Sequence, residues 1–214
     1  TRTKMIKKII DKVKAAIKQK EQKIVLIDPS ALASSPEPDL RIIGMFCDVQ
    51  EEKVAEVIHA MLYLNEMNKL EKDSAEKRPI EFYISTCGGS ADDMFALYDI
   101  MRIIRQETEI HTLGLGKVMS AGVLLLAAGT KGKRTIAKNC RIMIHSVAAG
   151  NHGNLQDLTN ELEAISDLQK MYTKCLVAET DMTKSDIKEM LQRNVNVYLS
   201  AEEAVKLGIA DIIV

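Results

Sequence analysis

Apolar positions along the chain fall into runs of two different periods, and the alternation between them sets the expected architecture. Ile6, Ile9, Ile10, Val13 and Ile17 recur every three to four residues, the spacing of an amphipathic helix. A short strand-like run follows at residues 23–27. Residues 28–38 then hold three of the chain's four prolines among small polar side chains, which reads as a linker because proline removes donors and such residues favour turns. The main domain is expected from residue 39 to 214.

Within that domain, strand-like runs at 41–46, 80–85, 110–115 and 141–145 are separated by helical patterns. Residues 51–68 carry Val54, Val57, Ile58, Met61, Leu62 and Leu64 at helical spacing; residues 92–106 do the same with Met94, Phe95, Leu97, Tyr98, Met101 and Ile104. A very apolar helix is expected after Ser120, a long one over about 155–179 and a shorter one over 184–193. Residues 70–79 read as a charged surface loop. Ser200-Ala201-Glu202-Glu203 has the form of a capping box, Gly208 closes that helix, and residues 209–214 read as a last strand. Strand–helix alternation of this kind predicts an α/β layered fold with a largely parallel sheet.

Composition narrows the class without naming a function. Hydrophobic residues at 46% and charged residues at 28% fit a globular chain and exclude a disordered tail protein. The net charge of -1 gives no reason to expect nucleic acid as a partner. No apolar run reaches the ~18 residues of a membrane span, and the N-terminus lacks the uninterrupted apolar stretch of a secretory signal. Charge is uneven, however: residues 1–23 carry nine basic against two acidic side chains, so the first helix is strongly basic. Its apolar stripe is expected to rest on protein, with a membrane-surface or docking role as the alternative. Cys47, Cys87, Cys140 and Cys175 are scattered without a C-x-x-C pair, which argues for reduced thiols in a cytoplasmic protein and against a disulfide framework or zinc site.

Three segments combine chemistry-bearing residues with the strand-end setting where sites gather in such sheets. In Ser85-Thr86-Cys87-Gly88-Gly89-Ser90, the paired glycines let backbone N–H groups face a ligand without a Cβ in the way; a ligand-free tight turn would look the same. In Gly114-Leu115-Gly116-Lys117-Val118-Met119-Ser120-Ala121-Gly122, Ser120 opens a helix whose free N–H groups suit an oxyanion; a lone serine there would simply be an N-cap. This segment is not the G-x-S-x-G elbow of α/β-hydrolases. In Ile142-Met143-Ile144-His145, a histidine leaves a buried strand; His59, His111 and His152 lack that setting. A serine and a histidine so placed are the minimum for nucleophilic acyl transfer.

Together these segments resemble the proteolytic subunit of the ATP-dependent Clp protease. Ser85-Thr86-Cys87-Gly88-Gly89 resembles the family's S-P-G-G segment, residues 116–122 its G-x-A-x-S-M-G nucleophile segment, residues 141–145 its R-x-M-I-H segment, and residues 198–204 its closing F-L-S-A-x-E-A. The four stand in the family's order across some four-fifths of the chain. The resemblance implies a crotonase-like α/β fold with a protruding handle helix, here about 155–179, and seven-membered rings stacked into a chamber. A Clp-type ATPase unfoldase would feed it polypeptide substrates. It further implies Ser120 as nucleophile, His145 as general base, and the backbone N–H groups of Gly89 and Ala121 as oxyanion hole. No cofactor, metal, nucleic acid or membrane is implied.

The chain departs from that pattern at the triad's acid. The aligned position, two residues before the aromatic Tyr198, is Asn196, and no acidic residue lies between Glu189 and Glu202. Asparagine is neutral and can present either oxygen or N–H to the imidazole. In the second case it traps the wrong tautomer, which in a serine protease lowered turnover by about 10⁴-fold. The expectation is therefore a competent fold with weak or conditional peptidase activity. The second reading is a catalytically silent subunit completing a mixed ring, and the third an enoyl-CoA hydratase or isomerase of related fold. Cys87 in place of the usual proline, the basic N-terminal segment and a lengthened loop at 70–78 are further departures.

Overall fold

The computed structural model describes residues 40–71, 77–150, 152–192 and 195–214. The helix, strand and linker expected over residues 1–38 lie outside them, as does most of the lengthened charged loop.

The alternation read from the sequence is realised as seven strands and six helices among the described residues. In chain order these are β1 (Ile42–Met45), α1 (Glu51–Leu70), β2 (Ile80–Thr86), α2 (Ala91–Ile104), β3 (Ile110–Met119), α3 (Ala121–Ala127), β4 (Arg134–Ile136) and β5 (Arg141–Ile144). They continue with α4 (Leu155–Glu179), α5 (Lys184–Gln192), β6 (Val197–Leu199), α6 (Ala201–Lys206) and β7 (Ile212–Ile213). The sheet runs β1-β2-β3-β4-β7, with β5 branching from β3 and β6 from β5. Every pairing is parallel except β5–β6.

Strict alternation in β2 buries Ile80, Phe82 and Ile84 on one face, in one core cluster with Met61 of α1 and Leu97 and Met101 of α2, and with the wholly buried α3. Burying one such side chain contributes roughly 1.5–3 kcal/mol, so this cluster is what holds strands to helices.

Two short strands, β4 and β6, are absent from the sequence reading, and β3 is longer than the 110–115 expected. The cause is a change of partner. β3 pairs with β4 over Thr112–Gly114, bends at Gly116 (φ +60°), and pairs with β5 over Lys117–Met119. This second half carries the chain to Ser120. The last strand is confined to two residues of the six expected. The capping box forms as read: Ser200 Oγ accepts from the Glu203 N–H and Glu203 Oε2 from the Ser200 N–H.

The long helix α4 is packed mainly near its C-terminal end, through Tyr172, Leu176 and Glu179. There the buried Glu179 carboxylate receives both Arg105 amino groups, at 2.8 and 2.9 Å, and the Tyr98 hydroxyl at 2.9 Å. Its carbonyl accepts from Arg134, whose guanidinium also donates to Asp211.

Candidate active site

Ser120 is the one residue other than glycine with positive φ among the described residues (φ 53°, ψ -120°). A side chain in that region costs on the order of 1–3 kcal/mol, which the surroundings must hold in place. They do so from three sides. The Ser120 N–H donates to the Met143 carbonyl across the β3–β5 pairing at 2.8 Å. Its carbonyl accepts from Val123 N–H and from the Tyr172 hydroxyl, each at 3.0 Å. Gly88 packs so close that a Cβ there would stand 2.6 Å from Ser120 Cβ. The simpler expectation, a serine serving as N-cap, is not met: Ser120 precedes α3, but its side chain makes no cap hydrogen bond. The hydroxyl is left unspent.

His145 follows β5 directly. Because Met119 pairs with Met143, Ser120 and His145 leave adjacent parallel strands at the same end of the sheet. The next segment is fastened to α4 by the Val147 N–H donating to Gln169 Oε1 at 3.1 Å. Ser120 and His145 are both partly exposed and line one cavity of about 290 Å³. Among the described residues, neither the Ser120 hydroxyl nor the His145 ring makes a hydrogen bond. Such contacts are often long before substrate is bound and tighten afterwards.

The glycine pair is pinned between two bonds to Val49: Val49 N–H donates to Gly88 O at 2.7 Å, and Ser90 N–H donates to Val49 O at 2.8 Å. The Gly88 N–H is taken by Thr86 Oγ1 at 3.1 Å. Gly89, with φ +150°, is thus left with a free N–H among the described residues, and a Cβ on it would overlap the Val49 carbonyl. The Ala121 N–H is likewise unpaired, as the first amide of a helix must be. Both Gly89 and Ala121 line the cavity with Ser120 and His145. Four of the five residues singled out in the sequence are therefore brought together.

Asn196 is placed differently. It precedes β6, is exposed, and does not line the cavity. The antiparallel register pairs Ile144 with Val197, so one further step along the ladder sets Asn196 opposite His145. Its neighbour Asn194 lies outside the described residues.

Three contributors were missed from sequence. Tyr172 and Gln169, which hold Ser120 and the chain after His145, sit on a helix where nothing local distinguishes them; their place on the site-facing side of α4 is the only signal. Lys117 donates to Cys87 Sγ at 3.0 Å, tying the strand before the serine to the turn before the glycines. No group of three His, Cys, Asp or Glu side chains able to hold a metal converges among the described residues.

A Clp protease family profile matches residues 38–214 of this chain. The chain belongs to the Clp protease family. Similar proteins include the ATP-dependent Clp protease proteolytic subunit 1 of Prochlorococcus marinus (strain MIT 9312), 34% identical over 81% of this chain and 83% of that protein. The proteolytic subunit 1 of Thermobifida fusca (strain YX) is 33% identical over 80% of this chain and 72% of its own length. Among the described residues no helix is long and apolar enough to cross a membrane.

Proposed function

We propose that the chain is a serine endopeptidase subunit of a Clp-type chamber, cutting unfolded polypeptides delivered by an ATPase unfoldase in the cytoplasm. The observation that carries this reading is the strained Ser120 turn, whose hydroxyl caps nothing and opens on a cavity shared with His145 and two unpaired backbone N–H groups. Ser120 Oγ attacks the peptide carbonyl carbon while His145 takes the hydroxyl proton; the carbonyl oxygen, now negative, is held by Gly89 and Ala121 N–H. His145 then passes the proton to the leaving amine as the C–N bond breaks, and a water molecule hydrolyses the acyl-serine by the same steps. Oxyanion donors each contribute roughly 10²–10³ in rate.

Asn196 takes the third member's position in the sequence and, by register, lies opposite His145, but it carries no charge to stabilise the imidazolium. Activity is therefore weak, or conditional on ring assembly and substrate closing the Ser120–His145 gap. The exposed apolar side chains of α4 support stacking of rings, built from this chain alone or mixed with a homologous subunit.

A fluorophosphonate probe followed by peptide hydrolysis tests the reading. Labelling of the wild type and not of Ser120→Ala, with turnover of an unfolded peptide, supports it. An assembled ring that takes no label, with His145 intact, supports the silent subunit that the neutral Asn196 favours.

A further inference from the structure

Helix α4 turns one stripe toward the cavity: Glu161, Ile165, Leu168 and Tyr172, at intervals of four, three and four residues. Three are apolar or aromatic and one is a carboxylate. Glu161 is half-buried, yet it makes no hydrogen bond or ion pair among the described residues. Asp167 of the same helix, which does not line the cavity, pairs with Lys170 at 2.8 Å, and Glu179 is held by Arg105. A second carboxylate, Asp92 in the first turn of α2, lines the same cavity and is also without a partner among the described residues. Its charge is favoured by the helix N-terminus. Among the described residues no lysine or arginine lines the cavity, and its other ionisable side chains are His145 and Tyr172.

We infer that this cavity is a specificity pocket for a basic side chain of the polypeptide, with Glu161 as its ionic partner and Asp92 as a second negative charge. The inference rests on the peptidase reading above and specifies its substrate. The walls formed by Met94, Phe95, Ile165 and Leu168 suit the aliphatic stem of lysine or arginine, whose charged head needs a polar end to the pocket. At about 290 Å³ the space suits one long side chain; sites for drug-sized ligands run from roughly 300 to 1,000 Å³. An acidic side chain meets two like charges there. An aliphatic one covers Glu161 without satisfying it, and discrimination of that kind exceeds what apolar fit alone supplies.

Three fluorogenic peptides differing only in the residue that donates the attacked carbonyl (arginine, leucine or glutamate) test this on the full chain. In the wild type, kcat/KM is expected to rank arginine, leucine, glutamate. Glu161→Gln lowers the arginine-over-leucine ratio about tenfold, the worth of one charge-assisted hydrogen bond, and Asp92→Asn lowers it less. Glu161→Lys moves the glutamate peptide ahead of the arginine peptide. Raising ionic strength from about 0.05 to about 0.5 M shrinks the wild-type ratio. A leucine-led or unselective wild type, or a ratio that Glu161→Gln leaves unmoved, overturns the basic pocket while the peptidase reading stands. No hydrolysis of any peptide above the Ser120→Ala background overturns both.

Discussion

At the level of single residues, what separates this site from an ordinary strand–helix turn is which polar groups are spent. Ser120 commits its backbone N–H to Met143 and its carbonyl to Tyr172 and Val123, and keeps its hydroxyl. Gly88 commits its N–H to Thr86, while Gly89 keeps its own. Gly89→Ala tests that division, because the new methyl group would overlap the Val49 carbonyl and turn the amide away. We expect kcat for peptide hydrolysis to fall by about 10²–10³, with stability falling by no more than about 1–3 kcal/mol. A stable variant with unchanged kcat would remove Gly89 from the proposed oxyanion hole. Asn196→Asp tests the other departure. If missing charge limits turnover, kcat rises at least tenfold, toward the ~10⁴ that the reverse change costs a serine protease. An unchanged rate in the assembled ring places the defect elsewhere.

At the level of elements, the readable parts were those with a long enough period. The helices α1, α2 and α4 and strand β2 repeat their apolar positions over several turns or pleats, and appear within a few residues of the expected bounds. Strands β4 and β6 are three residues each, too short for any alternation to show, and are strands only because β3 and β5 offer their edges. The Gly116 bend looked like a strand end because the change of partner behind it is tertiary. Ser120 and His145 were legible as a strand-end serine and histidine, and Gly89 and Ala121 only through the family resemblance; all four line one cavity. Glu161 was not, being one acid among several on an exposed helix.

The C-terminal anchor of α4 carries a pH-dependent prediction. Burial alone would raise the Glu179 carboxyl, but hydrogen bonds and charge from Arg105 outweigh it and hold the group below its ordinary value of 4.5. A carboxyl lowered in the folded chain adds stability above the ordinary carboxylate range and loses it as pH falls through the folded-state value. Glu179→Gln, which leaves Arg105 unneutralised, should cost about 3 kcal/mol at neutral pH by urea unfolding at fixed protein concentration. The gap to wild type should narrow below pH 4.5. A gap that stays constant into acid would mean that packing, and not the ion pair, holds the helix.

On the scale of the whole molecule, a parallel sheet is normally covered on both faces, and here the described residues leave one face only partly covered. Glu81, Tyr83 and Ser85 of β2 and His111, Leu113 and Leu115 of β3 are only partly buried, with the exposed Ile42 beside them. The N-terminal half of α4 is similarly unfinished. Leu155, Leu158 and Leu162 are 82%, 41% and 68% exposed, and their spacing puts them on one stripe beside the face that carries Glu161. An exposed apolar stripe of this kind marks a protein contact, and in the proposed chamber it is the contact expected for ring stacking. Leu162→Glu changes a side chain that is 68% exposed, and the melting temperature of the single subunit should move little. Placed between two helices in a stacked pair, the same carboxylate would be desolvated without a partner. Native mass spectrometry should then show double rings for the wild type and single rings or smaller species for the variant, with peptide hydrolysis falling in parallel if the site closes only on assembly. Double rings that persist in the variant would move the stacking contact off this stripe.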